Sequence, residues 1–163
     1  MNGFSRTRNV SPIPPATDSV SSCTSSKYPV EPGDSAVVAV TGYFGLRLAE
    51  MARRAGADVR TVEVDPGEIV DPAAVAAELE KRPAKVLAFV HVETTTGACQ
   101  PIQPMVDVAK RYGALVVMDC VTSLAGIPID IDASGVDAAG SCSQKSPSSD
   151  TWYLAPPLGK CVR

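Results

Sequence analysis

The sequence is short of histidine, of patterned cysteine and of excess charge, and each shortage argues against a class of function. Its single histidine, His91, speaks against a histidine-based metal site. Its five cysteines, Cys23, Cys99, Cys120, Cys142 and Cys161, are scattered and odd in number, with no CxxC pair. That pattern argues against a disulfide framework or a zinc site and for reduced thiols in an intracellular protein. A net charge of −3 offers nothing to nucleic acid or to an anionic membrane. No apolar run approaches the length of a membrane span, and the first residues contain no apolar signal core. No GxGxxG follows a strand-like run, which disfavours a dinucleotide-binding dehydrogenase.

What is present is enough for a core. The chain has 163 residues, the size of one ordinary domain, and 45% of them are hydrophobic. Residues 1–29 stand apart, rich in Ser, Thr and Pro, with too little apolar area to offset the entropy of ordering them. A disordered segment is expected there. Order begins at the turn Val30-Glu31-Pro32-Gly33-Asp34. From this point strands and helices alternate. Strands are expected at 36–40, 59–64, 86–92 and 115–118. The loop Thr41-Gly42-Tyr43-Phe44-Gly45 leads to a helix with Leu46, Leu48, Ala49, Met51, Ala52 and Ala55 apolar, stopped at Gly56. Asp71-Pro72 reads as an N-cap followed by proline at the first helical position, opening a helix over 73–81. A third helix is expected over 102–112, ending at Gly113. Residues 146–163 carry repeated breakers and read as an irregular tail.

Such alternation predicts an α/β layer structure, a mostly parallel sheet with helices on both faces. Ligands of such sheets sit beyond the carboxyl ends of the strands. Phe44, the Glu93–Thr96 loop, Asp119 and Lys145 are all expected at that edge. The run Ala114-Leu115-Val116-Val117-Met118-Asp119 delivers a carboxylate there, and Ser141-Cys142-Ser143-Gln144-Lys145 delivers an amine. This pair suits pyridoxal 5'-phosphate. A lysine amine forms a Schiff base with the aldehyde, and a carboxylate pairs with the protonated ring nitrogen, so that the ring acts as an electron sink.

Several stretches together resemble the class V aminotransferases, within them the alanine–glyoxylate/serine–pyruvate group. They are Val30-Glu31-Pro32-Gly33-Asp34, Gly42-Tyr43-Phe44-Gly45, the seven residues from His91 to Gly97, the nine from Met118 to Gly126, and Ser143-Gln144-Lys145. The resemblance implies a fold-type-I, pyridoxal-phosphate-dependent large domain over residues 30–145, incomplete, from an enzyme that works as a homodimer. It implies Lys145 as the catalytic Schiff-base lysine and Asp119 as partner of the ring nitrogen. Phe44 falls where the family stacks an aromatic on the cofactor, Thr94 near the cofactor hydroxyl, Val121 against the other ring face, and Gln144 at the phosphate. The related desulfurases place a histidine directly before the lysine and a glutamine shortly after the aspartate. Here Gln144 and Val121-Thr122 hold those places, which favours the aminotransferase branch.

The implied reaction moves an amino group from alanine or serine to glyoxylate or another 2-oxo acid. No metal, nucleic acid or membrane partner is expected, and the implied location is the cytoplasm or, in a eukaryote, the peroxisome or mitochondrion. The resemblance covers about the middle third of a full-length member, and both ends depart from the family pattern as in a truncated, mis-spliced or frame-shifted gene product. A second reading is therefore a non-catalytic remnant acting as a structural or interaction module. Taken singly the residues have plainer readings too. Lys145 suits a solvated surface charge, Asp119 a cap, Phe44 ordinary core, and Thr94 to Thr96 a hydroxyl-rich turn. His91 reads as a ring satisfied beside the sheet, and Cys120 and Cys142 as small packing residues.

Overall fold

Five short strands lie side by side and form a single parallel sheet. The computed structural model describes residues 30–142 and 145–146. The expected disordered segment 1–29, the expected tail from 147 onward, and Gln144 lie outside the described residues. The strands are β1 (Ser35–Val40), β2 (Asp58–Glu63), β3 (Val86–Val90), β4 (Leu115–Asp119) and β5 (Ala138–Gly140). The helices are α1 (Tyr43–Arg54), α2 (Pro72–Lys81), α3 (Ile102–Arg111) and the short α4 (Ile131–Ser134). Sheet order is β2-β1-β3-β4-β5, with every pairing parallel.

The near-continuous burial of β1 and β3 is what a sheet covered on both faces requires. Successive side chains divide between two cores. Val37, Ala39, Leu87, Phe89, Val116 and Met118 point to the layer that holds Val75 and Leu79 of α2 and Met105, Val106 and Ala109 of α3. Ala36, Val38, Val40, Ala88, Val90 and Val117 point to the other face, against Leu48 and Ala49 of α1. Full burial of a Leu or Phe stabilises by roughly 1.5–3 kcal/mol, so Leu79 and Phe89, both at 0% exposure, are main anchors of the first layer. α1 covers one face and α2 with α3 the other because the winding reverses after β2. Right-handed crossovers then place helices on opposite sides. The reversal opens a crevice between the carboxyl ends of β1 and β3, where open sheets of this kind bind ligands.

Most boundaries fall within a residue or so of the sequence reading, and the larger differences have physical reasons. α1 starts at Tyr43, so Phe44 is in its first turn rather than in a loop. The acceptor for that turn comes from a residue far along the chain. β3 stops at Val90; the chain then folds back, with Val92 bridged to Cys99 in antiparallel fashion. α4 and β5 were not anticipated. α4 is four residues long, with the Asp130 side chain accepting from Ala133 N and Gly135 left-handed at its end. β5 is only Ala-Ala-Gly, too short and too small to show a period. Asp71 caps α2 as expected, accepting from Ala73 N at 2.8 Å.

Candidate functional site

At the carboxyl edge of the sheet three segments converge: Thr41-Gly42 after β1, His91 to Gly97 after β3, and Asp119 to Gly126 at and beyond the end of β4. The first two are joined by Glu93, which is fully buried. One carboxylate oxygen accepts from Phe44 N at 2.9 Å and Gly45 N at 3.3 Å, the first amides of α1. The other accepts from Thr95 N at 3.1 Å and Thr95 Oγ1 at 2.8 Å. α1 has no side-chain cap of its own, so Glu93 supplies the acceptor that an N-cap residue ordinarily provides. Gly42 makes room for it. A Cβ at Gly42 would stand 2.6 Å from Glu93 Cγ, so space rather than backbone conformation requires glycine there.

The second and third segments are joined by a hydrogen bond between the Thr94 and Thr122 hydroxyls. His91 N donates to Asp119 O at 2.9 Å, carrying the β3–β4 ladder one step further. The His91 ring is buried, with Nδ1 against Ser123 Oγ at 2.9 Å and Nε2 3.8 Å from Cys99 Sγ. Burial lowers its pKa and keeps the imidazole neutral. This ring holds the turn after β4, as the plainer sequence reading has it.

Asp119 closes β4. Its Oδ1 accepts from Val121 N at 2.9 Å. Burial pushes the carboxyl above its usual range; the Val121 amide opposes that, the negative charge of Glu93 adds to it, and Arg47 at longer range opposes it. No ion pair among the described residues includes Asp119. Here is a carboxylate short of a cation, at the end of an interior strand. Val121, half-buried, lies two residues further on. The thiol of Cys120 is buried, lies 3.2 Å from Gly140 O, and is pushed up to about 11 chiefly by burial. That is the behaviour of a packing residue and not of a nucleophile.

The chain leaving β5 runs beside this turn. Cys120 N donates to Gly140 O at 2.8 Å. Ser141 Oγ reaches Cys120 O at 3.5 Å, and Ser146 Oγ reaches Thr122 O at 3.4 Å. Lys145, half-buried, directly precedes Ser146 and so lies beside residues 120–122. The structure thus gathers Phe44, Thr94, Asp119, Val121 and the Lys145 segment at one edge. Glu93 is the residue whose part there the sequence reading missed. No local signal marks it, since its partners Phe44 and Gly45 lie 49 and 48 residues away.

Residues 15–149 match the aminotransferase class-V family. Alanine–glyoxylate aminotransferase of Mus musculus is 39% identical over 116 residues, which are 71% of this chain and 28% of that protein. (S)-ureidoglycine–glyoxylate transaminase of Bacillus subtilis is 34% identical over the same share of each. The crystal structure of alanine–glyoxylate aminotransferase from Nostoc sp. superposes with a TM-score of 0.68 at 49% identity, over 71% of this chain and 30% of that one. The chain thus spans under a third of the length of these relatives. Its parallel sheet is that of the fold-type-I aminotransferases, with the strand-end carboxylate and the lysine segment at one edge, and the chain belongs to the class-V aminotransferase family.

Proposed function

We propose that the protein serves amino-group transfer from a small amino acid, alanine or serine, to glyoxylate or another 2-oxo acid, with pyridoxal 5'-phosphate as cofactor and a homodimer as the working form. One observation carries the reading: Asp119, a half-buried carboxylate with no ion pair among the described residues, stands at the end of β4 beside the segment that bears Lys145. A buried anion of this kind is stabilised by an opposite charge, and a protonated pyridine nitrogen supplies one. The residues present therefore fit the cofactor.

Bound there, pyridoxal phosphate supplies an aldehyde that takes up amines and a ring that accepts an electron pair. Lys145 holds the cofactor through its amine. The same amine would carry the substrate α-proton as general base and then as acid. Asp119 keeps the ring nitrogen protonated. Phe44, in the first turn of α1, would offer its ring for stacking, Val121 would pack against the cofactor ring, and the Thr94 hydroxyl would serve the cofactor hydroxyl. The phosphate needs donors other than the Phe44 and Gly45 amides, which Glu93 already occupies. Gln144 is the candidate from the chain itself.

The test is covalent. The chain is incubated with pyridoxal phosphate and reduced with borohydride, and its peptides are mapped by mass. A pyridoxyl group on Lys145 is the expected result; a label on Lys110 or Lys85 instead overturns the assignment. A chain that takes up no cofactor at all speaks for the non-catalytic module.

A further inference from the structure

We propose that Glu93 is a positioning residue of the cofactor site: its buried carboxylate ties the start of α1 to the Thr94–Gly97 turn and so sets where the Phe44 ring and the Thr94 hydroxyl stand relative to Asp119. The inference rests on the cofactor reading above and deepens it. Glu93 is 0% exposed and both its oxygens are taken, so it does not meet substrate. A charge so buried is retained only when its acceptors are filled, and here four donors fill them. Two come from the first turn of α1 and two from Thr95. The carboxylate also lies at the positive end of a twelve-residue helix.

The consequence is geometric. Phe44 is held by its own backbone amide. Thr94 adjoins the clamped Thr95 and is linked in turn to Thr122, three residues past Asp119. One side chain therefore connects the carboxyl ends of β1 and β3 and, through Thr94, that of β4. Gly42 belongs to the same device. Its backbone is extended, so alanine meets no conformational barrier there, yet a Cβ would press on Glu93 Cγ at 2.6 Å. Gly42→Ala thus displaces the carboxylate while leaving it in the chain.

Three variants of the whole chain, Glu93→Gln, Glu93→Ala and Gly42→Ala, test this with pyridoxal phosphate as the probe. Residue-resolved hydrogen exchange reads the Phe44 and Gly45 amides without cofactor. Fluorescence titration and the visible circular dichroism of bound pyridoxal phosphate read the site. Loss of a charge-assisted hydrogen bond is worth about tenfold or more in an equilibrium constant. Protection of both amides should therefore fall about tenfold in Glu93→Ala and Gly42→Ala, and the cofactor should dissociate about tenfold more readily with a weakened dichroic band. Glu93→Gln, which keeps one acceptor oxygen, should recover part of each. Far-ultraviolet dichroism shows which variants remain folded, and if Glu93→Ala does not, Gly42→Ala and Glu93→Gln decide. Unchanged amide protection overturns the clamp. Lost protection with unchanged cofactor affinity and dichroism overturns its role in the site. A wild-type chain with protected amides that binds no pyridoxal phosphate sinks the cofactor reading and the positioning role with it, leaving Glu93 a structural cap.

Discussion

Asp119 shows how one side chain ties stability to binding. Burial holds its folded pKa above the unfolded value. The native state then binds this proton more tightly than the unfolded chain does. Stability linked to the group is full at low pH, falls as pH rises from the unfolded carboxyl value of about 3.9 through the folded one, and stays reduced above it. Asp119→Asn keeps an oxygen for Val121 N and removes the buried charge. Without cofactor this variant should resist urea better than wild type at neutral pH, with the difference fading at acid pH. With pyridoxal phosphate it should bind more weakly, because the pyridinium loses its anion. A lower urea midpoint at neutral pH would show that the native chain stabilises the Asp119 charge through its own partners. Ala125, in the same post-β4 turn, has a φ of 63°, a conformation that costs a non-glycine residue about 1–2 kcal/mol. Strain and uncompensated charge thus fall within one short turn, where functional sites tend to hold them.

Between elements, long-range polar pairs lock what the apolar faces align. Gln100 is buried, and its amide receives Val70 N at 2.8 Å and donates to Val70 O at 3.0 Å. It fixes the approach to α2 against the hairpin that carries Thr94. Gln100→Ala should cost about 2 kcal/mol or more, since two buried backbone groups lose their partner at once. Urea unfolding checks this, and a loss within a few tenths of a kcal/mol would mean that water or a shifted side chain replaces the amide. The elements themselves were legible because their signals are local. The run 86–90 is apolar throughout, Asp71-Pro72 opens α2, and glycines follow α1 and α3. The start of α1, the turn-like Val92–Cys99 bridge, α4 and β5 were not legible. Their hydrogen bonds come from residues far along the chain, or the elements are too short for a period to emerge.

For the whole molecule, cofactor uptake and folding should be linked. On the proposed reading, pyridoxal phosphate needs the strand ends brought together, so it should bind the folded chain and stabilise it by mass action, by about 2.7 kcal/mol at a hundredfold excess over the dissociation constant. The thermal midpoint of wild type should rise with added cofactor, and that of Lys145→Ala should rise much less. Equal rises in both would point to phosphate binding away from Lys145. The sequence alone settles the parallel α/β class, because apolar runs and helical periods are properties of neighbours along the chain. It also places Asp119 at the end of such a run, which is where sheets of this class present ligands, and Lys145 at the end of a small polar segment. Tertiary structure alone decides that Glu93 closes the start of α1, that Gly42 must leave room for it, and that Thr94 meets Thr122. Those contacts join residues separated by tens of positions, and only the sheet order that stacks β1, β3 and β4 side by side brings them within hydrogen-bonding reach.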